Sequence, residues 1–276
     1  GDNEQYLRLM WEVPDDAIGK DLRWAPYAKG GDFSRYYGDI HLVVNWSGDG
    51  SPLSACRGVR YLGRDSWFCP GLTYPLITVK GFNVRVLPAG CIWDNGSPSI
   101  FPTTSQDQAL YTLGLLNSRL VQLFLYCVTS SRHWQVGYLS TVPWVPFADT
   151  PLHRNIARVA ERSFRICRAL RCQDETDPFF TGLPLPGAQG LRSALRSALS
   201  SAESLVVEYY ALQCELDRLV AELYELSEQE VRFLNHTLVW PIPPAEEQAS
   251  ISTTQFEDMY CRQVNAGGPS NGSESE

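Results

Sequence analysis

The residues best placed to do chemistry stand together at Lys29-Gly30-Gly31-Asp32-Phe33-Ser34-Arg35-Tyr36-Tyr37-Gly38. A cation precedes two glycines, and an arginine and three aromatic rings follow. Paired glycines allow close backbone approach and expose N–H groups to an anion such as a phosphate. Arg can read guanine through two parallel hydrogen bonds, and Tyr can stack or bond to phosphate. A glycine turn carrying a surface arginine has the same composition, so the residues alone leave both readings open.

Catalytic signatures are missing. No Gly-x-Gly-x-x-Gly follows a strand-like run, no Gly-x-Ser-x-Gly occurs, and no His pair has metalloprotease spacing. A methyl-transfer tetrad, Asn/Asp-Pro-Pro-Tyr/Phe, has its nearest counterpart in Asp177-Pro178-Phe179-Phe180, which lacks the second Pro and follows a polar run. It reads as a loop turn. Asp15-Asp16 and Asp94 are turn formers without a spaced carboxylate partner. The eight cysteines form no Cys-x-x-Cys pair and read as free thiols of a reducing cytosol, so neither a zinc site nor a disulfide framework is expected.

The net charge of −8 is unevenly spread. Residues 1–147 hold 12 Lys+Arg against 12 Asp+Glu, whereas residues 148–276 hold 11 against 19. A neutral N-terminal half can contact nucleic acid only through individually placed cations, not through bulk charge. No signal peptide and no long uncharged apolar run occurs, so a cytoplasmic protein away from membranes is expected. The chain opens at Gly1-Asp2-Asn3 without an initiator Met, which reads as a fragment of a longer protein.

The expected fold is α+β. Ile40–Val44, Leu72–Val79 and Asn83–Leu87 are short, β-branched and bounded by turn residues, as in a twisted mixed or antiparallel sheet or a partial barrel. Pro75 pushes the middle run to an edge or bulge. Over 105–127 the period changes: Leu110, Leu113, Leu116, Leu120 and Leu123 predict one packed amphipathic helix capped by Ser105. A second helix is expected at 151–172 with the stripe Ile156, Val159-Ala160, Ser163, Ile166-Cys167, Leu170. A third, about 190–226, carries a three-four seam from Leu205 to Leu226 that needs a partner. The expected domains are therefore a sheet domain at 1–147, a helical hairpin or coiled-coil-like spacer at 148–235, and an extended to disordered tail at 236–276.

Taken in order, several segments resemble one family. Gly1-Asp2-Asn3 with Tyr6-Leu7-Arg8 is similar to the junction between the catalytic and target recognition domains of TaqI-like and Type IIL adenine-specific DNA methyltransferases. Trp24–Gly31 with Arg35-Tyr36-Tyr37, and then Val43-Val44-Asn45-Trp46, resemble the opening of that recognition domain, particularly in PglX-type enzymes of BREX phage-defence systems. Gly71–Tyr74 and Phe82–Gly90 resemble its central strands, and Leu113–Leu120 its internal helix. Trp134–Pro143 resembles its closing strand, and Leu216–Ser227 with Glu230 its long C-terminal helix and stop. Tyr138 departs from the family, which often has an acidic residue there.

The resemblance implies sequence-specific recognition of double-stranded DNA for N6-adenine methylation in phage defence or restriction-modification. Methyl donor and catalysis would lie elsewhere, with S-adenosylmethionine a cofactor of the parent enzyme and none expected here. It further implies cationic contacts from Lys29, Arg35, Arg64, Lys80 and Arg85, with Gly30 and Gly31 at the backbone. Polar base or phosphate contacts would come from Tyr36, Asn45, Tyr74, Asn95 and Gln135. The missing catalytic domain is an implied partner. The alternative is a module whose helical seam and acidic half dock another subunit of a defence complex.

Overall fold

The structure, a computed structural model, describes residues 5–38, 40–55, 63–102, 105–129, 132–180, 182 and 190–237. The tail from residue 238 and Gly1-Asp2-Asn3 lie outside the described residues. The architecture is α+β. Strands β1 (Leu7–Leu9), β2 (Trp24–Ala28), β3 (Leu42–Asn45) and β6 (Ile92–Trp93) form a sheet of order β1-β3-β2-β6. All pairs are antiparallel except β2 with β6. Strands β5 (Arg85–Leu87), β4 (Gly71–Thr73) and β7 (Ser99–Ile100) form a second, antiparallel sheet. Ala25, Val44, Trp46 and Ile92 pack one core, and Ala28, Leu87 and Cys91 another.

Strand β4 stops at Thr73, short of the expected Val79, because Pro75 offers no N–H to a ladder. Tyr74 and Leu76 instead donate to Pro98 and Gly96 carbonyls. The closing strand expected over 134–143 is replaced by a helical turn at Val136–Leu139. Ser140 Oγ donates to the Gly137 carbonyl and Thr141 Oγ1 to that of Tyr138, so local hydroxyl bonds displace ladder pairing there.

The single helix expected over 105–127 is two: α1 (Gln106–Leu116) and α2 (Arg119–Val128). Ser105 caps α1 as expected, and Ser118 caps α2 by accepting from Val121 N. Between them, buried Asn117 works as a substitute strand partner. Its Oδ1 accepts from Val84 N at 3.0 Å and its Nδ2 donates to Val84 O at 2.8 Å. Asn117→Ala is expected to cost about 2 kcal/mol, because two buried backbone groups lose their partners. A urea midpoint shift equivalent to under about 0.5 kcal/mol would refute that.

After the turn at Val136–Leu139, here α3, the helix α4 (Pro151–Arg171) starts on a Thr150 cap with Pro151 in its first turn. It buries Ile156, Val159, Ala160, Ser163 and Ile166. One side packs on α1, where a Cβ at Gly114 would stand 3.0 Å from Ile156. The other meets the 34-residue α5 (Gly190–Leu223), which runs antiparallel to it: Arg162 pairs Glu208 and Arg158 pairs Glu215. Residues 1–225 form one compact unit. Leu226–Glu276 count as a second unit, in which α6 (Glu228–Thr237) starts on a Ser227–Glu230 capping box. Among the described residues no helix is long and apolar enough to cross a membrane.

Candidate nucleic-acid interface

The glycine loop leaves β2 at Lys29 and lines a cleft of about 250 Å³ with Tyr27, Asp32, Phe33, His41 and Arg171. Gly30 (φ 53°) and Gly31 (φ 109°) adopt left-handed conformations that a Cβ would strain. Beneath them, Arg85 of β5 donates to the Gly30 carbonyl and, at 3.4 Å, to that of Asp32. A Cβ on Gly38 would come within 2.4 Å of Arg85 Cδ. The loop is therefore moulded on the Arg85 side chain, which is only 6% exposed.

Arg35 and Tyr36 turn away from solvent. The Tyr36 hydroxyl donates to Gln213 Oε1 of α5 at 2.9 Å, and Arg35 Nη1 approaches the same oxygen at 3.4 Å while its guanidinium lies over Phe33. Burial pushes the Tyr36 hydroxyl well above the usual tyrosine range, against the opposing influence of Arg35. Tyr36 (φ 64°) holds its strained backbone because its N–H donates to Val84 O and its carbonyl accepts from Val86 N. Next to it, Tyr37 donates to the carboxylate of buried Asp177, which also accepts from Phe179 N. The Asp177-Pro178-Phe179-Phe180 segment thus ties the α4 end to the glycine loop, with Arg168 lying over Phe179.

Hydrogen bonds carry the surface onward from the cleft. Gly30 N donates to Ser97 Oγ in the turn 94–97, whose start is set by Asp94 Oδ1 accepting from Gly96 N at 2.8 Å. Tyr27 is held to the same Asp94; burial first, then that carboxylate, push its hydroxyl well above the usual range. Exposed Asn95 stands at the tip of the turn. Gly96 O accepts from Leu76 N, and residues 76–78 run alongside 132–134: Thr78 N donates to Arg132 O and Trp134 N to Leu76 O. Trp134 Nε1 locks the pair from inside by donating to Thr78 Oγ1 at 2.8 Å.

Lys29, Gly30, Gly31, Asn95, Lys80 and Gln135, far apart in sequence, are thereby joined on one run of bonded loops. Lys29, Lys80 and Arg132 make no ion pair among the described residues. No Asp or Glu occurs anywhere in 66–93 or 108–148. In a chain with 31 acidic residues, that leaves the far part of this run cationic without local neutralisation.

The other expected contact residues are turned inward, Arg85 directly under the cleft, or lie elsewhere. Arg35, Tyr36, Tyr74 and Arg85 are buried and have interior surroundings. Tyr74 packs on Phe82 with ring centroids 5.1 Å apart, and burial pushes its hydroxyl up to about 12. Asn45 closes β3 and accepts from Ser47 N, starting a turn. Arg64 pairs with Asp49 and lies over Trp67. Asn45 thus sits at the opposite end of β2–β3 from Lys29, roughly 15 Å away along the strand. Sequence reasoning missed Arg132, His41 and Arg171. The acid-free stretch around Arg132 was a usable signal; nothing local marks Arg171, which α4 brings to the cleft.

No protein-family model matches the chain. It is 22% identical over 258 residues to the adenine-specific methyltransferase BrxX of Escherichia coli O9:H4 (strain HS), covering 91% of this chain and 20% of that protein. It is 26% identical over 147 residues to the adenine-specific methyltransferase PglX of Lacticaseibacillus casei (strain Zhang), covering 50% of this chain and 12% of that protein. The chain therefore spans about a fifth or less of the length of these relatives.

Proposed function

We propose that residues 1–225 contact and read duplex DNA on behalf of an adenine-specific DNA methyltransferase of the phage-defence or restriction-modification kind. The observation that carries this is the run of bonded loops bearing Lys29, Lys80 and Arg132 with acid-free flanks. Lys29 suits phosphates, which fix register, while Asn95 and Gln135 are free to reach base edges. The similarity to BrxX and PglX supplies the reaction class, and S-adenosylmethionine would serve the parent enzyme. The nearest tetrad does not fit the methyl-transfer role: the Asp177 carboxylate is buried and accepts from Tyr37 and Phe179. No step of methyl transfer is therefore assigned to these residues; the chain's own task is to bind and orient the duplex.

The test is titration of labelled duplexes across several salt concentrations. Lys29→Ala is expected to lower the slope of log affinity against log salt by about 0.9, alike for all sequences. An unchanged slope removes Lys29 from the interface. A second reading rests on Leu191, Leu195 and Leu199, which are exposed along one face of α5 and suit a protein partner. Failure to bind any duplex, with a protein partner captured on that face, would favour it.

A further inference from the structure

We infer that the segments 76–80 and 132–135, paired through 76–78 and 132–134, form a ribbon that enters the major groove of duplex DNA, with aliphatic side chains against thymine methyl groups and Lys80 and Arg132 on neighbouring phosphates. This rests on the duplex-DNA reading above and names how specificity would arise in it. The two segments are joined by an antiparallel bridge between Ile77 and His133 and by the Thr78 N–Arg132 O and Trp134 N–Leu76 O hydrogen bonds on either side of it. Strands so paired lie about 4.8 Å apart, and the major groove, about 12 Å wide, admits a two-stranded ribbon.

Side chains alternate across the ribbon. Thr78 (6% exposed) and Trp134 (3%) face inward and bond to each other, which leaves Ile77 (54%) and Val79 (65%) facing out. Exposed aliphatic side chains beside two cations at one end of the ribbon, with no carboxylate in either flanking segment, repel neither a polyanion nor its apolar base edges. Thymine offers such an edge, a methyl group found only in the major groove. The charge complementarity selects DNA over an acid-poor protein surface as the occupant.

The experiment selects duplexes from a random-sequence pool on the full chain and remakes the enriched ones with uracil for thymine, which removes only the methyl. Each lost methyl contact is expected to weaken binding about fourfold. Val79→Ser, at an exposed position, should keep the melting curve and the salt slope. It should bind the thymine duplexes more weakly by a similar factor and distinguish thymine from uracil less than the unaltered chain does. Lys80→Ala should lower the salt slope by about 0.9 on both. Equal binding of thymine and uracil duplexes by the unaltered chain, or discrimination undiminished in both Ile77→Ser and Val79→Ser, overturns the inference. The DNA reading would still stand if Lys29→Ala lowers the salt slope. No duplex binding at all overturns both, and self-association lost in Val79→Ser would assign the ribbon to a protein interface instead.

Discussion

Asp217→Ala is expected to destabilise residues 1–225 by about 3 kcal/mol, among the largest effects of any single replacement. Asp217 of α5 faces Arg119 at the start of α2: its Oδ1 accepts from Arg119 N at 2.8 Å and its Oδ2 lies 3.4 Å from Nε. Arg119 is 5% exposed and Asp217 16%. Removing one member of a buried ion pair leaves the other charge desolvated, and it is that residual charge which costs, rather than the pair's own strength. The carboxylate also completes the N-terminal bonding of α2, so the loss is felt in a helix as well as in a contact.

The same residue sets a pH dependence. Burial pushes the Asp217 carboxyl above the usual carboxylate range, with Arg119 opposing. The folded chain then holds a proton that the unfolded chain releases. This group's contribution is greatest below the unfolded pKa and falls as pH rises through the folded one. Asp217→Asn retains an acceptor for Arg119 N and removes the titration. Its stability should be the less pH-dependent across roughly pH 4 to 7, and its loss smaller than that of the Ala variant. Urea midpoints measured over that range check both points; an Asn variant as stable as the unaltered chain would show that charge plays no part, and equal losses for Asn and Ala that the retained acceptor contributes nothing.

Much of the scaffold follows from local pattern. The α4 stripe from Ile156 to Ile166 is buried as its spacing demands, and α5 begins at Gly190 as expected. The break between α1 and α2 is harder to see, because Leu113, Leu116, Leu120 and Leu123 keep helical spacing across it. The only local mark is Asn117-Ser118, and what stabilises the break is Val84, 33 residues distant. The site shows the same division. Lys29, Gly30 and Gly31 lie on the cleft where an exposed glycine turn would put them. Arg35, Tyr36 and Arg85 have the composition of a binding rim, but their partners are interior. For Arg35 and Tyr36 the deciding group is Gln213, 178 and 177 residues away. Composition cannot tell an arginine over a phosphate from one over a buried carbonyl, since both supply an oxygen acceptor. The joining of Lys80 to Gln135 likewise depends on a bridge between Ile77 and His133 that no local signal announces.

Arg85→Ala tests the distinction between a contact and a brace. It is expected to cost about 3 kcal/mol, because it empties the space under the glycine loop and strips the Gly30 and Asp32 carbonyls of their guanidinium donors. Arg85→Lys should recover little, since one ammonium cannot reproduce the planar fork that reaches both carbonyls. Gly38→Ala should be damaging for the complementary reason: its new methyl would meet Arg85 Cδ at 2.4 Å, and either the side chain or the loop must move. Lys29→Ala, by contrast, should leave stability within about 0.5 kcal/mol while altering salt dependence. Amide exchange at Gly30–Ser34 separates the two behaviours. Faster exchange in Arg85→Ala, together with weaker binding and lower stability, is the outcome a brace requires. A stable Arg85→Ala variant with unchanged exchange and a salt slope lowered by about 0.9 would instead return Arg85 to the DNA surface.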